Sequence, residues 1–304
     1  MQVCVFSLKK IYVYFSSFFY ICKRQPFIFV PKKRKIPTTN FAAMQYRCIS
    51  WNINGLRAIE TKGLHEYLQR EQPDIVCFQE TKAEREQLSA ALQTPENYEA
   101  HYHSCSVRRG YSGVATFSRK NLGEPLAVER TIGIERFDQE GRILRLDFKE
   151  FTLVNAYFPN GSLEEKGRLD YKLEFYDALF AYLERLRDAG KRIVVCGDFN
   201  TAHTELDLAR PKANEQTSGF MPIERAKLDD IIRLGYVDSF RVFQQEGGHY
   251  SWWSYRQGAR QRNVGWRLDY FFVTDDLLPH LKEAFIQTDV GGSDHCPVGI
   301  ILEF

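Results

Sequence analysis

One local pattern recurs in this chain: a short apolar run meets carboxylate, amide or histidine side chains at its end. Val194–Asn200 is the clearest case, because an apolar run stops at a glycine that is followed by aspartate, phenylalanine and asparagine. Ile75–Glu80 and Ile49–Asn52 repeat the pattern, and Gly292–His295 places an aspartate and a histidine just before the last apolar run. Short apolar runs bounded by turn residues predict buried strands. The pattern therefore predicts a sheet-based fold with polar groups at the strand ends.

These polar side chains are the types that metal-assisted hydrolysis of a phosphodiester needs. Carboxylate and amide oxygens are the ligands that Mg²⁺ prefers. A carboxylate or histidine can activate water, and a further polar group can stabilise the charge that develops on the phosphate. The residue types thus indicate a candidate chemistry before any family is considered.

Composition sets wide limits. The 304 residues are 44% apolar and 14% aromatic, which is ample for a packed core in one large domain or two small ones. The seven cysteines form no C-x-x-C pair, and Cys77 and Cys196 lie in apolar runs. This favours reduced, buried thiols over a disulfide framework or a zinc site. Cys296 follows a histidine, but the proline after it favours packing over a nucleophilic role.

Charge divides the chain at Met44. Residues 1–43 hold eight of the 41 basic residues and none of the 39 acidic ones, so residues 44–304 carry a net charge of −6. The charge of this larger part gives no support for nucleic-acid binding, and a site for a polyanion would have to be a local basic stripe.

Residues 1–43 do not resemble the remainder. Ile11–Cys22 is an apolar run too short for a membrane span, although its length suits a signal peptide. Pro31–Lys35 is typical of a nuclear-localisation run, and an acid-free leader also fits an organelle transit peptide. We favour a start at Met44, with the leader disordered or an over-extended gene start. That start predicts a cytoplasmic, nucleoid-associated bacterial protein; a real leader predicts the nucleus or an organelle.

Periodicity from Met44 onward predicts one catalytic domain, 44–304, made of strands interspersed with helices. The helix over 170–189 is the clearest, since apolar residues recur every three or four positions and Gly190 follows. The other predicted helices are 62–71, 84–93 and 222–234. The predicted strands are 46–52, 74–80, 98–104, 112–119, 142–148, 151–158, 192–198, 250–254, 268–274, 283–289 and 297–303. This order predicts an α/β sandwich, with two packed sheets and helices outside.

The candidate site residues also have ordinary explanations. Glu80 alone would be a solvated strand-end carboxylate, and Asp198 with Asn200 would be a common turn. Because similar polar groups end several other strands, we favour a metal ligand over a solvated carboxylate as the explanation of Glu80. Asp269 enters a hydrophobic strand, so it needs a partner, and His295 needs a carboxylate to fix its tautomer.

Two basic and aromatic segments are suggestive. Tyr250–Arg256 and Asn263–Trp266 hold three of the four tryptophans, and three arginines lie within Arg256–Arg262. Aromatic rings beside arginines suit a surface for phosphate and sugar. Arg108–Gly113 is a second such turn, for which a solvated loop is the better explanation when it is taken alone.

Seven motifs taken together closely resemble the exonuclease III type of abasic-site DNA endonuclease, in the endonuclease/exonuclease/phosphatase superfamily. The resemblance runs in order from Met44 to Phe304. The motifs that carry it are Trp51–Ala58, Gln79–Lys82, Gly110–Val114, Asn155–Gly161, Gly197–Asn200, Asn263–Tyr270 and Ser293–His295.

The resemblance implies a four-layer α/β sandwich, two packed mixed β-sheets flanked by helices, and a Mg²⁺ site in which Mn²⁺ can substitute. Glu80 would be the principal metal ligand, with Asn52 close by and Asp294 at or near the metal. Asn54 stands where some relatives have aspartate, which weakens the case for a further carboxylate there.

The resemblance also assigns roles in catalysis. Asp198 would position or deprotonate the attacking water. Asn200, Tyr157 and His295 would contact the scissile phosphate, and Asp269 would orient His295.

Substrate contacts are implied in the same way. Trp252, Trp266 and Leu268 would line a pocket for the flipped-out abasic sugar. Five residues would grip the DNA backbone: Arg57, Lys82, Tyr111, Asn160 and Asn214.

We therefore expect a monomeric DNA repair endonuclease that cuts duplex DNA 5′ to abasic sites, acts on blocked 3′ ends and has no membrane partner. Two alternatives stay open. One is a phosphatase or phosphodiesterase acting on lipid head groups, and the other is a damage-binding module without activity.

Overall fold

The computed structural model describes residues 44–162 and 164–304. In these ranges, twelve strands form two sheets of six. The first sheet contains, in spatial order, β11 (Leu281–Ile286), β12 (Val298–Glu303), β1 (Gln45–Asn52), β2 (Ile75–Gln79), β4 (Val114–Arg119) and β3 (Tyr98–His103). The second contains β5 (Ala127–Glu129), β6 (Ile143–Asp147), β7 (Thr152–Tyr157), β8 (Ile193–Asp198), β10 (Asp269–Thr274) and β9 (Tyr236–Asp238).

Each sheet has one parallel pair of strands at its centre. In the first sheet β1 runs parallel to β2, and in the second β7 runs parallel to β8. The carboxyl ends of parallel strands meet at one edge, so β1 brings Asn52 beside the residues that precede Glu80. In the second sheet Tyr157 is paired directly with Asp198. The polar ends predicted from the sequence therefore gather in each sheet.

Helices cover both outer faces. The α-helices of the described residues are α1 (Leu56–Glu60), α2 (Leu64–Glu71), α3 (Ala90–Gln93), α4 (Glu135–Asp138), α5 (Arg168–Asp188), α6 (Pro211–Asn214), α7 (Pro222–Arg233) and α8 (Ser239–Phe243). Short 3₁₀ helices occupy Arg85–Gln87, Lys120–Leu122, Glu205–Asp207, Arg256–Gly258 and Asp275–His280.

Three apolar layers hold the sheets and helices together. Side chains such as Leu153 and Ile300 fill the space between the two sheets. Phe175 and Leu179 of α5 pack on the outer face of the second sheet, and Leu64 of α2 packs on the outer face of the first. Helix, sheet, sheet and helix follow one another, which confirms the predicted four-layer α/β sandwich.

The longest helix shows why the sequence analysis succeeded in the core. Phe175, Leu179 and Leu183 of α5 recur at four-residue spacing and are fully buried. Gly190, with φ +81°, follows the end of the helix. The observed bounds lie within two residues of the predicted 170–189.

Two predicted elements are wrong. Residues 250–254 do not form a strand. Trp252 makes only isolated bridges, to Trp266 and to His295, and the segment joins neither sheet. The predicted helix 84–93 is instead a 3₁₀ turn and the short α3. Ser89, in extended conformation, separates them and caps α3 with its side chain.

Short elements were missed. β5 and β9 have three residues each, too few to show a period. The strand predicted at 283–289 begins two residues earlier and ends three residues earlier, as β11. The prediction for the leader falls on 1–43, outside the described residues. Among the described helices, we find none whose length and hydrophobicity would suit a membrane crossing.

Candidate active site

A cavity of about 800 Å³ lies where the polar strand ends of both sheets meet. Its lining contains most of the residues that the sequence predicted. These are Glu80, Tyr157, Asn160, Asp198, Asn200, Asn214, Trp252, Trp266, Leu268, Asp294 and His295.

The other five predicted residues do not line this cavity. Asn52 and Asp269 are buried. Lys82 contacts Glu80, whereas Arg57 is exposed on α1. Tyr111 accepts hydrogen bonds at its hydroxyl from two arginines, Arg142 and Arg168, each at 2.7 Å.

His295 is held by a buried carboxylate. Its Nδ1 lies 2.8 Å from Asp269 Oδ2, and both side chains are almost fully buried. Burial alone would lower the pKa of His295, but Asp269 and Asp198 raise it to about 10. The imidazole therefore carries its proton at neutral pH. Ser251 Oγ donates to the same Asp269 oxygen at 2.6 Å and accepts hydrogen bonds from the backbone of Leu268 and Asp269.

Asp198 faces the other side of His295. Its Oδ2 lies 3.8 Å from His295 Nε2 and accepts a hydrogen bond from Asn52 Nδ2 at 2.9 Å. Asn200 donates to Asp198 from its backbone at 2.8 Å and from its side-chain amide at 3.2 Å. Burial, helped by Asp269 and Glu80, raises the pKa of Asp198 to about 7 although His295 opposes this. Asp198 is thus poised to gain or lose a proton near neutral pH.

Gly197 explains how Asp198 reaches this position. Its φ is +141°, and a Cβ at Gly197 would lie 1.8 Å from the carbonyl oxygen of Ala156 on the neighbouring strand. Only glycine lets β7 and β8 approach this closely, and the chain then turns Asp198 into the cavity.

Glu80 is an ionised carboxylate at the cavity floor. Its Oε1 accepts a hydrogen bond from Asn52 Nδ2 at 2.9 Å, and Lys82 Nζ lies 2.5 Å from its Oε2. Burial would raise the pKa of Glu80, but Lys82 and Asn52 outweigh it and lower that pKa. The Lys82 ammonium already pairs with this carboxylate, so this part of the cavity is suited to bind a positive charge.

Asp294 is a second low-pKa carboxylate on the cavity lining. It accepts hydrogen bonds from Asn54 Nδ2 at 3.0 Å and Trp252 Nε1 at 3.0 Å. Burial would raise its pKa, but His295 and these two donors lower it. Lys82 Nζ also donates to Asn54 Oδ1 at 2.6 Å, so Lys82 and Asn54 connect Glu80 with Asp294.

Two arrangements of residues could hold a metal ion. Asp198, Asp269 and His295 each offer a ligand atom, and these atoms lie within 4.8 Å of one another. However, His295 Nδ1 and Asp269 Oδ2 already contact each other at 2.8 Å, so a metal ion bound between them would have to replace this contact. The ionised oxygens of Glu80 and Asp294 suit a hard cation better.

Tyr157 brings a neutral phenol to the cavity. Burial raises its pKa well above the usual value, and the nearby Glu80 adds to this effect. Beneath the ring, the buried Arg142 guanidinium lies 4.9 Å from the ring centroid and donates to the Tyr157 carbonyl at 3.0 Å. Tyr157 can therefore act as a fixed hydrogen-bond donor.

One wall of the cavity is apolar. Trp266 meets Trp252 edge-on at 6.5 Å and Phe220 at 6.3 Å between ring centroids, and Leu268 completes the cluster. Trp252 and Trp266 are only partly buried, whereas Trp253 is 2% exposed and belongs to the core. Of the adjacent tryptophans, Trp253 therefore belongs to the core and Trp252 faces the cavity.

Sequence reasoning missed several residues at or behind the cavity. Arg210 and Ser218 line it, while Ser251, Arg142 and the buried Lys172 support it from behind. Arg210 has a φ of +61°, a left-handed conformation that the presence of an arginine does not predict. The supporting residues find their partners far along the chain, so no local motif marks them.

Comparison with known proteins gives consistent results. The Endonuclease/Exonuclease/phosphatase family matches residues 49–295. The chain is 46% identical over 258 residues to an exodeoxyribonuclease from Bacillus subtilis (strain 168), covering 84% of this chain and 99% of that protein. It is 42% identical over 262 residues to a DNA-(apurinic or apyrimidinic site) endonuclease from Dictyostelium discoideum, covering 85% of this chain and 71% of that protein. The crystal structure of AP endonuclease LMAP from Leishmania major superimposes with a TM-score of 0.78 at 31% identity, covering 86% and 88% of the two chains.

Proposed function

Because this chain belongs to the endonuclease/exonuclease/phosphatase family, as its motifs predicted, we propose that it is a DNA repair nuclease. It hydrolyses the phosphodiester bond 5′ to abasic sites in duplex DNA and leaves a 3′-hydroxyl. The observation that carries this proposal is the Asp269–His295–Asp198 arrangement facing a cavity with an apolar wall. The relatives named as exodeoxyribonuclease and abasic-site endonuclease support the choice of DNA as substrate.

His295 supplies positive charge to the scissile phosphate. The Asp269 carboxylate keeps the ring protonated and oriented, so Nε2 can donate to a phosphate oxygen as negative charge develops there. Tyr157 and the Asn200 amide donate from neighbouring positions. These preorganised donors stabilise the transition state more than the ground state.

Asp198 acts on the attacking water. Its buried carboxylate is fixed by Asn52 and Asn200, and its raised pKa suits a group that accepts a proton near neutral pH. Glu80 and Asp294, with Asn52 adjacent, would hold Mg²⁺, or Mn²⁺ in its place. When bound, the metal neutralises charge on the phosphate.

The apolar wall selects the damaged nucleotide. Trp252, Trp266 and Leu268 leave room for a sugar without a base, and an abasic nucleotide is flipped out at lower cost because it has lost its stacking. Five residues bind the DNA backbone around this point: Arg57, Lys82, Tyr111, Asn160 and Asn214. The same site removes nucleotides or blocking groups from 3′ ends, and the enzyme acts as a monomer.

One assay tests the proposal. Purified protein is incubated with an abasic duplex and a matched undamaged duplex, with Mg²⁺ or with EDTA. We expect Mg²⁺-dependent internal cleavage 5′ to the abasic site and no internal cleavage of the undamaged duplex, with any other products arising from the 3′ ends. Tight binding without cleavage would favour a damage-binding module. Release of phosphocholine from sphingomyelin, without cleavage of DNA, would favour an enzyme acting on lipid head groups.

A further inference from the structure

A buried ion pair lies behind the cavity and joins α5 to α7. Lys172 on α5 and Glu224 on α7 have no exposed side-chain surface, and Lys172 Nζ lies 2.6 Å from Glu224 Oε1. Burying two charges is costly unless they are paired and their remaining hydrogen bonds are made. The other contacts of this pair therefore show what it holds.

Lys172 holds the turn that orients Asp198. Its ammonium donates to the backbone carbonyl of Asn200 at 2.6 Å. Asn200 has φ +51°, a conformation that is uncommon for a residue other than glycine. Asn200 donates two hydrogen bonds to the carboxylate of Asp198. Displacement of the Asn200 backbone would therefore displace the donors that fix Asp198.

Glu224 holds the loop that forms one side of the cavity. Its Oε2 accepts hydrogen bonds from the backbone N–H groups of Gly219 at 2.6 Å and Met221 at 3.1 Å, and Ser218 Oγ donates to Oε1 at 3.3 Å. Ser218 and Gly219 line the cavity. A Cβ at Gly219 would lie 3.3 Å from the Trp266 ring and 3.3 Å from the Asn200 oxygen, so this loop packs against both.

We propose that Lys172 and Glu224 are positioning residues that fix the Asp198–Asn200 turn and the Ser218–Met221 loop relative to each other. The role in catalysis rests on the proposed function. Replacing a buried ion pair by apolar residues is often neutral for the stability of a protein. We therefore explain this pair by the positions it fixes and not by the stability it adds. Burial lowers the pKa of Lys172, while Glu224 and Asp198 oppose that shift.

The chain offers a matched control. Lys227 and Asp177 also join α5 and α7, with Lys227 Nζ 2.6 Å from Asp177 Oδ1, but these side chains are 19% and 65% exposed. Neither lines the cavity. Lys172→Met and Lys227→Met therefore remove the same charge from the same pair of helices, and only the first should affect the site.

Two measurements on the full chain test the proposal. In hydrogen exchange, peptides covering residues 198–202 and 217–221 should exchange faster in Lys172→Met than in the parent protein, with no such change in Lys227→Met. In single-turnover cleavage of an abasic duplex, Lys172→Met should be about tenfold or more slower, because small displacements of reacting groups are costly. Lys227→Met should stay within about twofold of the parent rate.

The proposal would be overturned if Lys172→Met left both the exchange rates and the cleavage rate unchanged. It would also be overturned if Lys227→Met altered them as much as Lys172→Met does. If Lys172→Met does not fold, Glu224→Gln gives the same test, since it keeps the size but removes the charge and one acceptor. Wild-type protein that leaves abasic DNA intact would refute the proposed function, whereas the exchange measurement would still decide on the positioning role.

Discussion

The Nδ1 atom of His295 lies 2.8 Å from Oδ2 of Asp269, with Asp269 fully buried behind the ring and His295 on the cavity lining. This contact keeps the imidazole protonated and aims Nε2 into the cavity. It joins two segments that are 26 residues apart in the chain.

Asp269→Asn should lower the cleavage rate by roughly 10²–10⁴-fold, because the imidazole loses the charge that keeps it protonated. Affinity for an abasic duplex should largely survive. The pair His203–Asp229, with 2.8 Å between Nε2 and Oδ1 and an exposed carboxylate, provides the control. Asp229→Asn removes a similar contact and should leave the rate unchanged. Equal losses of rate and affinity in Asp269→Asn would instead indicate a binding role.

The cleavage rate should rise with pH through about 7, where Asp198 loses its proton, and His295 should keep its proton up to about 10. His295 lowers the pKa of Asp198, so His295→Asn should move the acid limb of the profile to higher pH as well as lower the maximum rate. Single-turnover rates between pH 5 and 9 measure both effects. An acid limb that stays in place would show that Asp198 is not the titrating group.

Glu80→Gln should weaken Mg²⁺ binding far more than it weakens folding, since it keeps the size of the side chain and removes its charge. Calorimetric titration with Mg²⁺ or Mn²⁺ measures the affinity directly, without relying on activity. Glu84→Gln, which removes an equal charge four residues away, is the control and should bind metal normally. Unchanged metal affinity in Glu80→Gln would rule out Glu80 as the main ligand.

Trp266→Ala should enlarge the pocket beside the apolar wall and reduce the ratio of abasic to undamaged cleavage. The loss follows from a pocket that no longer excludes a base. Phe180→Ala, which removes a buried ring of α5, should lower the melting temperature without changing that ratio. If Trp266→Ala gave only a lower melting temperature, the ring would be part of the core and would not select substrate.

A chain that begins at Met44 should fold and cleave abasic DNA like the full chain. Backbone hydrogen bonds of 2.9 Å run in both directions between Met44 and Phe304, so the described fold begins at this residue. Purified 44–304 and 1–304 should have equal cleavage rates and similar melting temperatures. Loss of activity on truncation would give the leader a catalytic role.

The sequence predicted correctly the site residues that lie at the ends of apolar strands. Glu80, Asn52 and Asp198 follow or end apolar strands, so their gathering at sheet edges follows from local pattern alone. The family resemblance then added Tyr157 and Leu268. Neither source indicated how the two sheets dock, which decides the distances between these groups.

The errors have local causes as well. Residues 250–254 alternate like a strand, but they bridge Trp266 and His295 singly instead of joining a ladder. The pair Lys172–Glu224 was missed because its members are 52 residues apart. In the sequence of each helix taken alone, a charged residue reads as part of the solvent-facing side. Contacts between distant segments are set by tertiary packing, which no window of sequence contains.

The amide of Asn52 makes two hydrogen bonds that reach across the sandwich. Its Nδ2 donates to Glu80, beyond the end of a strand of the first sheet, and to Asp198, at the end of a strand of the second. Deeper between the sheets, Asn155 of β7 makes a second polar link, accepting a hydrogen bond from Gln79 Nε2 at 2.8 Å and donating to the Ala115 carbonyl at 2.9 Å. The reacting groups thus depend on a few buried amides for the offset between the layers, and we expect cleavage to be lost at a lower denaturant concentration than the secondary structure.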